Sequence, residues 1–113
     1  MLFRSDYVRF LREFVNRVHH VHGKDTELNA ENLYEFGHEQ PPTFAKPMDF
    51  GNMAWRYTIP GHGQIRWGEI FKMLQASRYK GMVSIELEDG NFNGTPDGEK
   101  QGITLGAQYL AGC

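Results

Sequence analysis

Two histidines and one glutamate are the residues of this sequence best placed to do chemistry. His20 and His22 are two positions apart in an apolar, β-branched stretch, so on a strand their side chains point to the same face. Glu86 has apolar neighbours, among which a charge is costly to bury unless a cation or a hydrogen-bond network receives it. We interpret His22 and Glu86 as candidate metal ligands. The plainer alternatives are a core histidine and a solvent-exposed strand end.

We assign smaller roles to the acidic residues that follow Glu86 and to His19, the other histidine of the first stretch. Glu88 and Asp89 are expected to be exposed to solvent at the end of the strand, and His19, which faces the other way, is expected to be structural. His22 and Glu86 alone would give a divalent ion only two protein ligands, too few for a complete site. Further ligands must therefore come from elsewhere.

Residues 55–67 combine turn-forming residues with several hydrogen-bond donors just before a predicted helix. Backbone N–H groups of its Pro-Gly-His-Gly turn, together with Arg56 or His62, could contact the polar oxygens of a ligand. The alternative is a rigid turn whose glycines only reverse the chain. The sequence offers no nucleophile motif, because Ser77 and Ser84 lack the G-x-S-x-G context and Cys113 has no base near it in sequence.

The elements that must position these residues follow from the spacing of apolar side chains. Helical spacing predicts helices over 7–15, from Trp67 to a stop at Gly81, and over 99–110, with Ser5 or Asp6 as the first N-cap. Short β-branched or alternating runs predict strands over 17–23 and 82–88. The intervening residues 26–64 are predicted to be one long active-site loop.

This order of elements predicts an α/β fold with two parallel strands joined through a helix. The second strand places Val83, Ile85 and Leu87 on one side and Ser84, Glu86 and Glu88 on the other. An acidic face suits the inside of a barrel, where catalytic groups stand at the carboxyl ends of the strands. We therefore favour part of a barrel wall over an open, doubly wound sheet.

Composition limits the classes of function. The 113 residues have 40% apolar content and a formal net charge of −2, which fits one folded domain and disfavours nucleic-acid binding through bulk charge. A single cysteine fits a reducing compartment. With no visible signal peptide or membrane span, we expect a cytoplasmic protein that begins within a longer gene.

Three segments taken together resemble a known family. HVHGKD at 20–25, IPGHGQIRW at 59–67 and VSIELED at 83–89 resemble, in order and spacing, the last quarter of sugar phosphate isomerases and epimerases of the xylose isomerase-like TIM-barrel family. The resemblance implies that residues 1–113 are the C-terminal part of a (β/α)8 barrel, in the order helix, strand seven, long loop, helix, strand eight, helix. The nuclease branch of the superfamily is disfavoured by the slight net acidity.

The resemblance also implies roles for individual residues. In the family, His22 and Glu86 would bind a divalent metal (Mn, Mg, Co or Zn), and Glu86 would be one of two carboxylates that move a proton beside a metal-polarised carbonyl. His20, Lys24, Arg56 and His62 would contact a small sugar or keto-sugar, although Arg56 lies one residue farther from the turn than the family pattern. The remaining ligands, an earlier Glu and an Asp, would precede Met1.

Two other readings of the function remain open. A hydro-lyase acting on a 3-keto sugar would use the same residues as an isomerase or epimerase. A non-catalytic truncated chain, or one subunit of a split barrel, would need the missing N-terminal half or self-association, because two parallel strands leave open edges. Neither nucleic acid nor membrane is expected as a partner.

Overall fold

The computed structural model describes residues 6–37 and 53–113. The elements in chain order are α1 (Tyr7–Phe14) with a 3-10 turn (Val15–Arg17), β1 (Val21–Gly23), β2 (Asp25–Leu28), α2 (Ala30–Phe36), β3 (Trp55–Thr58), α3 (Trp67–Ala76), β4 (Val83–Ile85) and α4 (Pro96–Ala111). Within these ranges no helix is both long and apolar enough to cross a membrane.

Strands β1 and β4 form the parallel pair that the sequence predicts. Val21 lies opposite Val83, His22 opposite Ser84 and Gly23 opposite Ile85. The strand begins at Val21 rather than at Arg17, because the chain first completes the 3-10 turn, closed by the bond from Val18 N–H to the Val15 carbonyl. The pair therefore places the ends of both strands at the same edge, where His22 and the residues after Ile85 emerge.

The prediction of one long loop over 26–64 is corrected by the structure. Strands β2 and β3 pair antiparallel inside this stretch, with Asp25 opposite Thr58 and Leu28 opposite Trp55, and α2 follows β2 directly. The polar composition of β2, Asp-Thr-Glu-Leu, hides the apolar alternation by which a strand is recognised in a sequence. Residues 38–52 of the predicted loop lie outside the described residues.

Helix α1 begins as predicted, and helix α3 does not end as predicted. Asp6 caps α1 by accepting a hydrogen bond from the Arg9 N–H at 3.0 Å. Helix α3 ends at Ala76, before the predicted stop at Gly81. Gly81 has another role, since a Cβ there would collide with the side chain of Tyr79.

Arg78 takes the left-handed conformation that ends α3, with φ at 61°. Its N–H bonds the Gln75 carbonyl, while the Tyr79 N–H bonds the Leu74 carbonyl, each at 3.0 Å. This is the hydrogen-bond pattern of a Schellman motif, in which the left-handed residue is usually glycine because a Cβ is strained there. Arginine at this position therefore leaves the helix end strained.

Arg78→Gly is expected to raise the free energy of unfolding by about 1 kcal/mol, because glycine adopts positive φ without the steric penalty of a Cβ. Urea unfolding followed by tryptophan fluorescence would measure the change. Arg78→Ala is the matched control, since it removes the same side chain but keeps the Cβ. An equal gain in both variants would place the effect in the charged side chain and contradict the backbone explanation.

Helix α4 packs through its glycines. It begins at Pro96, capped by Thr95, whose hydroxyl accepts from the Gly98 N–H at 3.0 Å. Its buried positions are Gly102, Gly106 and Leu110, one helical face at intervals of four. A Cβ at Gly106 would lie 3.2 Å from the Pro60 ring, so the missing side chain lets the helix approach the residues before α3.

The buried face of α4 does not include its other apolar side chains. Ile103, Ala107 and Leu110 recur at helical intervals, yet Ile103 and Ala107 are exposed, and 45% of the Ile103 surface is accessible. A sequence reading weighted toward large apolar side chains overlooks a face made of glycines. The described core consists of Val8, Ala54, Ile59, Trp67, Leu74 and Leu110.

Candidate active site

His22 and Glu86 meet at the carboxyl ends of β1 and β4, and His20, just before β1, packs against His22. The His22 Nδ1 lies 3.2 Å from Glu86 Oε2, and the His20 Nε2 lies 3.0 Å from Ser84 Oγ. The two imidazole rings stand edge to face with centroids 5.2 Å apart. The predicted common face of His20 and His22 is confirmed, and the parallel register brings Glu86 to it.

Lys24 is the cation of this cluster. Its Nζ lies 2.8 Å from Glu86 Oε1 and 3.0 Å from Glu88 Oε2. The same ammonium stands 4.3 Å from the centroid of the Tyr57 ring, a cation–π distance. Lys24 therefore joins the acidic end of β4 to β3.

The ionisation of the cluster follows from these contacts. Burial opposes the charge of Lys24, but its hydrogen bonds to Glu86 and Glu88 outweigh this and raise the pKa of Lys24 above its ordinary value. The hydrogen bond from Lys24, aided by the one from His22, lowers the pKa of Glu86. Lys24 is thus an ammonium and Glu86 a carboxylate at neutral pH.

His22 and Glu86 fit two donors of one divalent cation. Zinc, for example, bonds imidazole nitrogen and carboxylate oxygen at about 2.1 Å, so donor atoms 3.2 Å apart can share an ion. Among residues 6–37 and 53–113, no group of three or more His, Cys, Asp or Glu could hold a metal. The described residues therefore provide two donors, and Glu86 is shared with Lys24.

The other two predicted substrate contacts lie on separate elements. The Arg56 Nε bonds Glu27 Oε2 at 2.9 Å, and these residues face each other across the β2–β3 register. His62 is exposed, with its ring centroid 6.2 Å from that of Phe92. A substrate contact by Arg56 or His62 stays a prediction.

Asp25 is a residue of the site region whose importance the sequence reasoning missed. It is fully buried, and its carboxylate accepts four hydrogen bonds. The donors are the backbone N–H groups of Thr26, Gly61 and Ile65 and the indole N–H of Trp67, at 2.9–3.1 Å. Its sequence signals were its place directly after Lys24 and at the end of the HVHGKD segment. Asp25 thereby holds residues 59–67, which we call the 59–67 loop.

The expected exposure of Glu88 and Asp89 is wrong. Asp89 is fully buried and accepts from the backbone N–H groups of Ile59 at 3.0 Å and Asn91 at 2.9 Å. Glu88 is half-buried and ion-paired with Lys24. Asp89 accepts from Ile59 and Glu88 pairs with Lys24, both distant in sequence, so the sequence of the strand end alone does not reveal these contacts.

The two glycines of the turn allow close packing in the 59–67 loop. Gly61 has φ at 98°, and a Cβ there would lie 2.6 Å from the Tyr109 ring. A Cβ at Gly63 would collide with the Asp25 carboxylate and with the backbone of Thr26. The turn is thus both tightly packed and anchored, while its His62 side chain remains exposed.

Comparison with known proteins places this geometry in context. The sequence matches the model of the xylose isomerase-like TIM barrel over residues 2–112. It is 33% identical over 87 residues to the uncharacterized protein YfiH of Bacillus subtilis (strain 168), covering 75% of this chain and 27% of that protein.

Several similar proteins carry the name inosose dehydratase. The one from Geobacillus thermodenitrificans (strain NG80-2) is 30% identical over 84 residues, covering 74% of this chain and 26% of that protein. The one from Clostridium botulinum (strain Alaska E43 / Type E3) is 36% identical over 81 residues, covering 72% and 25%. The chain thus spans about a quarter of the length of these curated relatives.

Proposed function

Because the chain belongs to the xylose isomerase-like TIM barrel family, we propose that it contributes part of the active site of an enzyme acting on a keto-sugar. The observation that supports this most is the cluster of His22, Lys24 and Glu86 at the carboxyl ends of two parallel strands. Active sites of TIM barrels lie at this end of the strands. The family includes sugar-modifying enzymes such as inosose dehydratase.

The proposed chemistry is proton transfer at a carbon next to a carbonyl. His22 and Glu86 would hold a divalent cation, which when bound would polarise the substrate carbonyl and acidify the neighbouring C–H. Glu86, ionised at neutral pH, is the carboxylate in this chain that would accept or return a proton through its Oε atoms. The second carboxylate of the pair would come from outside these 113 residues.

Lys24 and His20 are the groups that would orient the substrate. The Lys24 ammonium has three N–H groups and is ion-paired with Glu86 and Glu88, and we propose that it also donates to a substrate hydroxyl or carbonyl oxygen. The His20 ring is exposed and held by Ser84. These donors suit a ligand rich in hydroxyl groups.

The names of the relatives favour a hydro-lyase over an isomerase or epimerase. In a dehydration the base takes the proton from carbon, a C=C bond forms, and the hydroxyl on the next carbon leaves as water after protonation by an acid. An isomerase or epimerase shares the first step and returns the proton to carbon. Because several similar proteins are named inosose dehydratase, we propose loss of water from a keto-sugar as the leading reaction.

Metal binding by the chain itself tests the proposed donors. In a titration with Co²⁺ followed by its visible absorption, we expect weak binding, because two donors make an incomplete site. Glu86→Gln should abolish it, whereas Glu69→Gln, which alters an exposed carboxylate paired with Arg66 on α3, should not. Equal binding in Glu86→Gln would contradict the assignment of Glu86. Tight one-to-one binding by the unaltered chain would show that no further ligands are needed.

Association with the rest of a barrel is the second part of the proposal. The large apolar side chains of Phe10, Met82 and Ile103 are 64%, 72% and 45% exposed. The parallel sheet in the described part has two strands, whose outer edges offer unpaired backbone groups. An apolar cavity of about 220 Å³ also opens between α1, β1 and α3. The remaining strands and helices of a barrel would cover these surfaces.

A complementation experiment tests this association. The inosose dehydratase of Geobacillus thermodenitrificans, shortened by the quarter that this chain matches, would be mixed with the chain and analysed by light scattering. We expect a one-to-one complex that dehydrates inosose, while the chain alone is inactive. Ile103→Glu, which puts a charge on the exposed apolar surface, should weaken the complex. Activity of the chain alone, or its self-association in place of the complex, would contradict the proposal.

A further inference from the structure

Asp25 connects the 59–67 loop to the cluster of Lys24 and Glu86. We propose that it is a positioning residue, whose carboxylate fixes the loop beside the substrate and Lys24 beside Glu86. Its importance for substrate rests on the proposed function. The positioning itself can be measured without any substrate.

Both carboxylate oxygens of Asp25 are used, and they are used for different parts of the loop. Oδ1 accepts from the N–H groups of Thr26 at 2.9 Å and Ile65 at 3.0 Å. Oδ2 accepts from the Gly61 N–H at 3.1 Å and the Trp67 indole N–H at 3.0 Å. One side chain thus ties the turn of the loop, its end and the first residue of α3 to the start of β2.

Asp89 holds the beginning of the same loop. Its Oδ2 accepts from the Ile59 N–H at 3.0 Å, and Asp89 lies in the segment that follows β4, as Asp25 lies in the segment that follows β1. Two fully buried carboxylates therefore anchor the loop to the carboxyl ends of both parallel strands. Since each accepts backbone N–H groups, the loop backbone is fixed whatever side chains it presents.

Because Asp25 directly follows Lys24, anchoring Asp25 also fixes the backbone that carries the Lys24 side chain. Strand β1 ends at Gly23 and β2 begins at Asp25, so Lys24 is the one residue between them. The backbone on both sides of Lys24 is held, by β4 on one side and by the Asp25 contacts on the other. Its side chain is thereby directed to Glu86 and Glu88 rather than to solvent.

A carboxylate is needed at this position rather than any acceptor. In the described part of the chain, its two oxygens accept hydrogen bonds from four N–H donors. An asparagine of the same shape has one carbonyl oxygen, and its amide group would face two of these donors with N–H groups of its own. Asp25→Asn therefore removes the acceptor for two of the four N–H donors without leaving a cavity.

Hydrogen exchange of the ¹⁵N-labelled chain, followed by NMR, tests the proposal. In Asp25→Asn we expect the amides of Gly61 and Ile65 to exchange about tenfold faster or more, relative to the β1–β4 amides of Val21 and Glu86. The indole N–H resonance of Trp67 should move, because its acceptor changes. Trp67→Phe is the matched control: it keeps the carboxylate and its three backbone donors, so exchange of the loop amides relative to the β1–β4 amides should stay unchanged.

Two outcomes would overturn the inference. Unchanged exchange at Gly61 and Ile65 would show that Asp25 does not order the loop. Equal acceleration of loop and strand amides would show a general loss of stability, without local positioning. Neither outcome depends on metal or substrate, whereas absence of Co²⁺ binding by the unaltered chain would count against the proposed function and leave this inference standing.

Discussion

Replacing Gly63 with alanine is expected to lower the free energy of unfolding by about 3 kcal/mol, the upper range for overpacking a closely packed site. The added methyl group would lie inside van der Waals distance of the Asp25 carboxylate and of the Thr26 backbone. Neither neighbour can yield easily, because Asp25 is held by four hydrogen bonds and Thr26 is paired in the β2–β3 sheet. Urea unfolding would measure the loss.

Gly68→Ala is the control for this substitution. Gly68 lies in the first turn of α3, and a Cβ there would meet no atom within 4 Å. Alanine should therefore stabilise the helix by about 0.5–1 kcal/mol through its higher helix propensity. If Gly63→Ala and Gly68→Ala shifted stability alike, the close contact between the turn and Asp25 would be refuted.

Trp67→Ala is expected to have the largest effect of any single side-chain truncation in the described core, about 3–5 kcal/mol. Only 3% of the Trp67 surface is exposed, and its ring stands 6.0 Å from that of Phe71. The truncation would also leave the buried Asp25 carboxylate with one donor fewer. Because a loss of this size can unfold the chain, circular dichroism should be recorded at low temperature before the urea series.

Trp67→Phe separates packing from hydrogen bonding. It retains most of the buried aromatic surface and loses the indole N–H, so we expect a loss of about 1.5–3 kcal/mol, the range for a hydrogen bond to a charged group. Both losses are measured by urea unfolding, followed here by far-ultraviolet circular dichroism. A loss in Trp67→Phe as large as in Trp67→Ala would mean that the bond to Asp25, rather than the aromatic packing, dominates at this position.

The parts of the fold that could be predicted are those specified by local pattern. Alternation at 83–88 placed Val83 and Glu86 on opposite faces, and the spacing of His20 and His22 placed them on one. The parallel pairing of β1 and β4 followed from the order of elements and is confirmed. Since strand alternation and chain order are local rules, a single sequence is enough to apply them.

The parts that could not be predicted depend on partners distant in sequence. Asp25 and Asp89 look like any acid after a strand, and only the folded chain shows that N–H groups 30 to 42 residues away reach them. The β2–β3 pair was missed because its register forms across the stretch interpreted as a loop. The left-handed backbone conformation of Arg78 could not be predicted, because no sequence pattern indicates it for an arginine, and the nearby Gly81 is the helix end that the sequence predicts.

The junction between β1 and β2 requires a fixed number of residues. With Lys24 as the one residue between β1 and β2, an inserted or deleted residue there would exchange the faces of every following side chain on β2, because strands alternate with period two. Asp25 would turn away from the loop donors, and Glu27 would turn away from Arg56. Homologous chains can therefore vary the residue types between His22 and Asp25, but the number of residues separating the two must stay constant.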